Sequence, residues 1–416
     1  MGSSSLKKVT GNSIWLILDK VGRIVIKLLV SILIANYLGS ELLGTINYVN
    51  SITLILFSFA SLGLNGIAVR EMVEGANMQV EKVIFNSLLM KLLAAVLCFG
   101  ISLTFVSFYL GDDALKLYAI LLAAGQTFRS FEIFDYWFQS KLNSRVSVIS
   151  RLVALSVVSL MQIAAIVFDM GILMIVLAMS TEFLLIAVLY VFSYLRTSTI
   201  NFQVDFALWR SLLSKSWPLI LSAFGSIIYL KVDQLMIEHY IDKAAVGVYG
   251  VAVQYSEIWY FLPNALALSF FPVLVKKKNE ADFDKLIIGG YSLMFVLSLS
   301  IAIGVALLGP ALIRLLYKEE FWQAGEILVI HIWAGIFIFM RSIFSKWLII
   351  SENYIHSLTT HLLGAAVNVA LNLIFIPKFG IKGAAVTTLI SYGFSSYFAF
   401  FLIPPLWKVA KQMTIS

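Results

Sequence analysis

The sequence is poor in the features on which most soluble or secreted proteins depend. Only 13% of its 416 residues are charged while 60% are hydrophobic, and a soluble chain of this length needs more charge to cover its surface. It has one cysteine, Cys98, which excludes an intramolecular disulfide and argues against a secreted scaffold. Its four histidines, His239, His331, His356 and His361, are scattered, and neither HExxH nor a Cys/His metal spacing occurs. No GxxxxGK[ST] phosphate loop is present, so nucleotide hydrolysis is not expected to drive any process here. No enzyme, metal site or cofactor is implied. The formal charge of +7 is modest: it does not point to nucleic acid, and it fits loops that keep Lys and Arg on one side of a membrane. No cleavable signal peptide is expected, because the first apolar run is too long and lacks a small-residue cleavage pattern.

What the chain does have is long apolar runs, each able to cross about 30 Å of hydrocarbon at 1.5 Å per residue. The class is an all-α polytopic membrane protein. Twelve spans are expected, near 12–37, 42–66, 84–110, 114–138, 146–168 and 171–195, then 212–237, 244–272, 286–309, 323–350, 355–376 and 381–404. With the N-terminus in the cytoplasm, roughly fifteen loop Lys and Arg, Lys7 and Lys8 among them, fall inside against roughly six outside. Both termini are therefore expected in the cytoplasm. An internal repeat suggests two lobes of six spans, 1–205 and 206–416. YLGSELLGTINYVNS (37–51) and YIDKAAVGVYGVAVQ (240–254) each place a Gly seven residues after a Tyr: Tyr37 to Gly44 and Tyr240 to Gly247. The stretch 196–210, RTSTINFQVDFALWR, reads either as an interfacial linker on the cytoplasmic face or as a plain loop.

Charges inside the spans are the most informative feature. DKVGRIVIK, residues 19–27, holds Asp19, Lys20, Arg23 and Lys27 within about 100° of helix surface, and Asp19 lies one turn from Arg23, so those two can pair. Arg23 falls about 16 Å along the helix from Asn12, near mid-membrane. Facing lipid, an Arg or Lys there would cost roughly 2.5–3.5 kcal/mol, so the stripe is expected to face protein or a wet cavity. Further spans carry Arg129, Glu132, Asp135, Glu182, Asp233, Glu257 and Arg341, together with Lys91, Arg151, Lys231 and Lys346. With the first span these make about nine cations against six anions, and a net positive interior favours an anionic passenger. Blander readings stand beside this one. Glu132 and Asp135 can simply neutralise Arg129 within one helix. Lys91, Arg151 and Lys346 lie near span ends and are expected to snorkel. Lys231 and Asp233 can form an exposed outer pair. Mid-span Glu257 suits ion carriage or a hydrogen-bonded neutral acid equally.

Six segments extend the reading: ANYLGSELLGTINYVNS (35–51), ASLGLNGIAVRE (60–71), EIFDYWFQSKLNSR (132–145), WPLILSAFGSIIYLKVDQLMI (217–237), VGVYGVAVQYSEIWYFLPNALALSFFPVL (246–274) and FGIKGAAVTTLIS (379–391). They resemble motifs of bacterial polysaccharide repeat-unit flippases, the Wzx-type O-antigen transporters of the multidrug/oligosaccharidyl-lipid/polysaccharide exporter superfamily. The resemblance implies two six-helix lobes around a central cavity that opens alternately to each side of the bacterial inner membrane. The implied passenger is an oligosaccharide linked through pyrophosphate to undecaprenol, as in lipopolysaccharide biosynthesis. By location and charge, Lys20, Arg23 and Lys27, with Arg129 and Arg341, become the substrate-binding candidates. Asp19, Glu132, Asp135, Asp233 and Glu257 become supporting or ion-coupling candidates, with H+, Na+ or the membrane potential as the drive. Bilayer lipids and a polysaccharide polymerase complex are the implied partners. The competing readings are an ion-driven drug exporter of the same superfamily, a membrane-embedded sugar- or polyisoprenyl-phosphate transferase, and an assembly scaffold for polysaccharide enzymes.

Overall fold

The computed structural model describes residues 3–74, 77–199, 202–278, 280, 282–351, 353 and 355–416, with side chains from Asp19 onward apart from 74–79 and 272. The side chains of Lys7 and Lys8, and residues 200–201 of the expected linker, lie outside the described residues. Among the described residues every regular element is helical. In chain order these are α1 (Ser3–Phe57), α2 (Asn65–Glu74), α3 (Asn77–Tyr109), α4 (Asp113–Thr127), α5 (Ile133–Ser140), α6 (Ser144–Val167), α7 (Gly171–Leu195) and α8 (Phe206–Tyr240). They continue with α9 (Lys243–Glu257), α10 (Phe261–Lys276), α11 (Phe283–Leu316), α12 (Gln323–His331), α13 (Ala334–Ser351), α14 (Ile355–Gly393), α15 (Ala399–Phe401) and α16 (Trp407–Ile415).

Nine stretches among the described residues are long and apolar enough to cross a bilayer, fewer than the twelve expected, and the reasons are local. Asp19–Val73 and Ile355–Phe401 run for 55 and 47 residues, about twice the length one crossing needs. Each holds two expected spans and turns at a glycine with positive φ, Gly39 (78°) in the first and Gly380 (61°) in the second; glycine adopts that conformation without steric cost. The expected span 114–138 is interrupted by a 3-10 segment, Phe128–Glu132, which leaves α4 and α5 each too short to qualify. At the start of α4, Asp112 caps the helix by accepting from the Ala114 N–H at 2.8 Å, and Asp113, its first residue, pairs with Lys116 at 2.9 Å.

The chain forms two compact units, one of Met1–Leu38 and Ile52–Phe224, the other of Gly39–Ser51 and Gly225–Ser416. The first packs α4 and α6 on α7 and holds a core that includes Leu64, Ile133, Phe134, Tyr190, Tyr194 and Leu212. Buried Asn86 of α3 clasps the segment before α8. Its Nδ2 donates to the Gln203 carbonyl at 2.9 Å, and its Oδ1 accepts from the Asp205 N–H (2.8 Å) and Trp209 Nε1 (2.7 Å).

In the second unit, Gly39–Ser51 is held at both ends. Glu320 accepts from the Ser40 N–H and Oγ at 2.9 and 2.7 Å, and Ser51 Oγ donates to Gln234 Oε1 at 2.6 Å. Between these ties it crosses α9 so closely that a Cβ on Gly44 would lie 1.6 Å from the Lys243 carbonyl oxygen, and one on Gly247 would lie 2.0 Å from that of Ser40. The two glycines that mark the internal repeat thus face each other. Their role is to let two backbones approach where any side chain would intrude.

Candidate functional site

The polar interior of the first unit starts from one buried carboxylate. Asp19 on α1 is only 2% exposed, and burying it alone would cost several kcal/mol. Two guanidinium groups offset that cost. Arg23, one turn on, donates through Nη2 to Asp19 Oδ2 at 3.1 Å, the pair expected from spacing. Arg151 of α6 donates through Nη2 to the same oxygen at 2.9 Å. The Nη1 of Arg151 bonds Asp135 Oδ2 at 2.9 Å and Tyr190 Oη at 3.1 Å, and Asp135 also accepts from Gln139 at 3.0 Å. Asp135 therefore serves Arg151, while Arg129 is served by Glu132 at 3.2 Å and by Gln126 Oε1 at 3.3 Å.

Arg151 and Lys91 depart from the sequence reading. Both were expected to snorkel; instead Arg151 bridges two buried acids, and Lys91 is 2% exposed, its Nζ 3.9 Å from Glu132 Oε2 and 5.1 Å from the centre of the Tyr136 ring. Span position alone suggested free ends, but Arg151 is tied to acids on α1 and α5 and to Tyr190 of α7, and Lys91 packs against Tyr136 of α5. The network continues through Lys27, paired with Glu182 of α7 at 3.2 Å, and through Arg129, which lies 5.3 Å over the ring of the next residue, Phe183. Lys20 is half-buried on the same stripe. Six cations (Lys20, Arg23, Lys27, Lys91, Arg129, Arg151) thus accompany four carboxylates (Asp19, Glu132, Asp135, Glu182), and Arg23, Lys27 and Arg129 keep part of their surface open.

Asp233, Glu257 and Arg341 belong to the second unit, and there charge is managed differently. Asp233 is buried, so the exposed pair expected with Lys231 does not form. Its carboxylate accepts from Tyr249 Oη at 2.8 Å, from Asn372 Nδ2 at 2.6 Å and from Thr388 Oγ1. Asn372 in turn bonds Asn368 at 3.1 Å and accepts from Thr387. The signal that could have found this shell is polar spacing on α14: Asn368 and Asn372 lie one turn apart, and Thr387 and Thr388 follow after the Gly380 bend. Arg341 is also buried; its Nη1 donates to the Ser395 carbonyl at 2.7 Å and its Nη2 to Thr360 Oγ1 at 3.0 Å. Glu257 is half-buried at the end of α9. No group of three or more His, Cys, Asp or Glu suited to hold a metal occurs among the described residues.

This polytopic helical membrane protein thus holds a cation-rich polar network inside one unit. The comparisons with known proteins place it further. The family model described as polysaccharide biosynthesis protein matches residues 9–278, and the chain belongs to that family. A second model, lipid II flippase MurJ, matches residues 234–416. Among curated relatives, the probable low-salt glycan biosynthesis flippase Agl15 of Haloferax volcanii is 24% identical over 44% of this chain and 39% of its own length. The capsular polysaccharide biosynthesis protein CapF of Staphylococcus aureus is 21% identical over 56% of this chain and 60% of its own. The matched part of this chain thus spans about two fifths to three fifths of these relatives. In solved structures, the inward closed conformation of lipid II flippase MurJ superposes with a TM-score of 0.75 at 16% identity, over 97% of this chain and 90% of that one. An inward-facing MATE family multidrug resistance transporter gives 0.70 at 13%, over 100% and 96%. At such identities these likenesses establish the fold.

Proposed function

We propose that this chain is a flippase that carries a lipid-linked oligosaccharide across a membrane, with the anionic pyrophosphate of the lipid carrier held by the cationic network of the first unit. The observation that carries this reading is the surplus of cations over carboxylates in that network, with Arg23 and Arg129 paired yet partly open. A pyrophosphate bears about two negative charges, and passing it through hydrocarbon unaided would cost tens of kcal/mol. Arginines that exchange an internal carboxylate for phosphate oxygens replace that lost hydration with charge-assisted hydrogen bonds. Lys20 and Lys27 extend the surface for the head group, Arg341 adds a cation in the second unit, and Asp19, Glu132 and Asp135 hold the cations in place between cycles.

The finer reading is an undecaprenyl-pyrophosphate repeat unit, such as that of O-antigen, moved from the inner to the outer leaflet of the bacterial inner membrane. It proceeds by alternating access between lobes 1–205 and 206–416, with both termini cytoplasmic and a polysaccharide polymerase as the receiving partner. Family membership, flippase-named relatives and the fold support this reading. Asp233 and Glu257 are the coupling candidates for H+ or Na+: Asp233 because a carboxylate set among neutral hydroxyl and amide groups can accept a small cation without displacing an arginine, and Glu257 by its place midway along the apolar stretch Lys243–Lys276. A solved structure with the same fold is that of a multidrug resistance MATE family transporter; ion-coupled drug export by this chain is favoured by Asp233 alone, and a dye-efflux assay separates it.

The test is a deletion strain complemented at matched membrane levels with wild type, Arg23→Ala or Arg23→Lys. Arg23→Ala is expected to abolish surface polysaccharide while the lipid-linked unit accumulates inside, with Arg23→Lys intermediate. Normal polymer with Arg23→Ala would make the stripe structural, and a deletion without effect would end the flippase reading.

A further inference from the structure

We infer that Lys91 and Arg151 are positioning residues for the anion, each retaining the carboxylate that an outer arginine must give up when the anion arrives. The inference rests on the anion-carrying reading above and concerns how its charges are exchanged.

Two carboxylates of the network are each shared by an inner and an outer cation. Asp19 lies between Arg23, whose side chain is 35% exposed, and Arg151, at 15%. Glu132 lies between Arg129, at 42%, and Lys91, at 2%. In both cases the outer group is an arginine, whose planar fork suits phosphate, and the inner group is closed off by protein. An anion that binds an outer arginine takes it from its acid, and the acid left behind repels the anion unless another cation holds it.

Arg151 already fills that role. It bonds Asp19, Asp135 and Tyr190 at 2.9, 2.9 and 3.1 Å, so Asp19 stays compensated when Arg23 leaves. Glu132 is poised one step earlier. It sits 3.2 Å from Arg129 Nε but 3.9 Å from Lys91 Nζ, and that ammonium has no hydrogen bond among the described residues. A buried cation without a hydrogen-bond partner is costly, and a shift of about 1 Å by Glu132 would bring the two within bonding reach. Anion binding at Arg129 therefore hands Glu132 to Lys91. The exchange frees the arginine, satisfies the buried ammonium and keeps the acid from opposing the bound charge. Lys91 acts on the anion without touching it.

That indirect role predicts a specific non-additivity. The full chain in nanodiscs is titrated with farnesyl pyrophosphate, a soluble isoprenoid diphosphate, with melting temperature recorded on the same samples. Lys91→Met is expected to weaken binding about 10-fold in the wild-type background but less than about 2-fold in the Glu132→Gln background, where no carboxylate needs a new partner. Glu132→Gln alone is expected to tighten binding about 3-fold or more, since Arg129 is then free from the start. That second reading stands even if Lys91→Met fails to fold, and unchanged or weaker binding with Glu132→Gln overturns the exchange. Equal losses from Lys91→Met in both backgrounds overturn it too, by making Lys91 a direct ligand or a packing residue. Wild type that binds the probe, loses it with Arg129→Ala, and yet lacks this pattern leaves the anion reading standing and removes only the exchange. No saturable binding to wild type removes both.

Discussion

The two units bury charge by opposite means. In the first, carboxylates and cations compensate one another: Arg151 joins Asp19 to Asp135, Glu132 serves Arg129 and Lys91, and Glu182 takes Lys27. In the second, each buried charge is surrounded by neutral dipoles, Asp233 by Tyr249, Asn372 and Thr388, and Arg341 by a carbonyl and a hydroxyl. The difference bears on what each can exchange. An ion pair can trade one member for an external ion of the same sign, so a cation-rich set of pairs suits an anion with two charges. A carboxylate held by neutral donors has no internal cation to displace and suits a small cation instead. One chain thus carries two kinds of polar interior, in separate units.

This contrast can be broken from its strongest member down. Arg151→Ala removes the shared partner of two buried carboxylates and is expected to destabilise the protein by about 3–5 kcal/mol, read as lost membrane abundance and a lower melting temperature in detergent. Arg151→Lys keeps the charge but cannot span both acids, and is expected to restore part of the loss. If Arg151→Ala is neutral, the first unit is not held by its ion pairs. Asp233→Asn comes next. The amide fits a shell of hydroxyl and amide groups with a change of about 1 kcal/mol in stability, while any dependence of transport on H+ or Na+ is expected to disappear. Retained ion dependence would place coupling elsewhere, with Glu257 the next candidate. The smallest effect belongs to Lys408→Ala, which breaks the exposed pair with Asp284 at 2.8 Å and is expected to cost under about 1 kcal/mol; a larger loss would mean that surface pairs matter here as much as buried ones.

Much of this was legible in the sequence, and the rest was hidden for identifiable reasons. The helical membrane class follows from apolar runs that only a bilayer accommodates, and the Asp19–Arg23 pair follows from one-turn spacing. The glycines of the internal repeat were visible as a spacing, but that Gly44 and Gly247 meet depends on how 39–51 crosses α9. Lys91 and Arg151 were misread because distance from a span end says nothing of the helices beside it, and burial is a property of the packed unit. Asp233 was misread for the same reason: its partners lie on α9 and α14, more than a dozen residues away in sequence. The interrupted α4–α5 region carries no glycine at the break, and only the structure exposes its 3-10 segment.

The most direct measurement is flipping of a fluorescent oligosaccharide-pyrophosphate-isoprenoid in proteoliposomes, compared between wild type, Arg23→Ala, Arg129→Ala and the double variant. The account predicts that each single variant slows flipping at least ~10-fold, since each removes a charge-assisted contact worth about 1.5–3 kcal/mol. The double variant should then approach the rate of protein-free vesicles. Flipping at the wild-type rate with both arginines removed would contradict it and leave the cation-rich network a structural feature of the first unit.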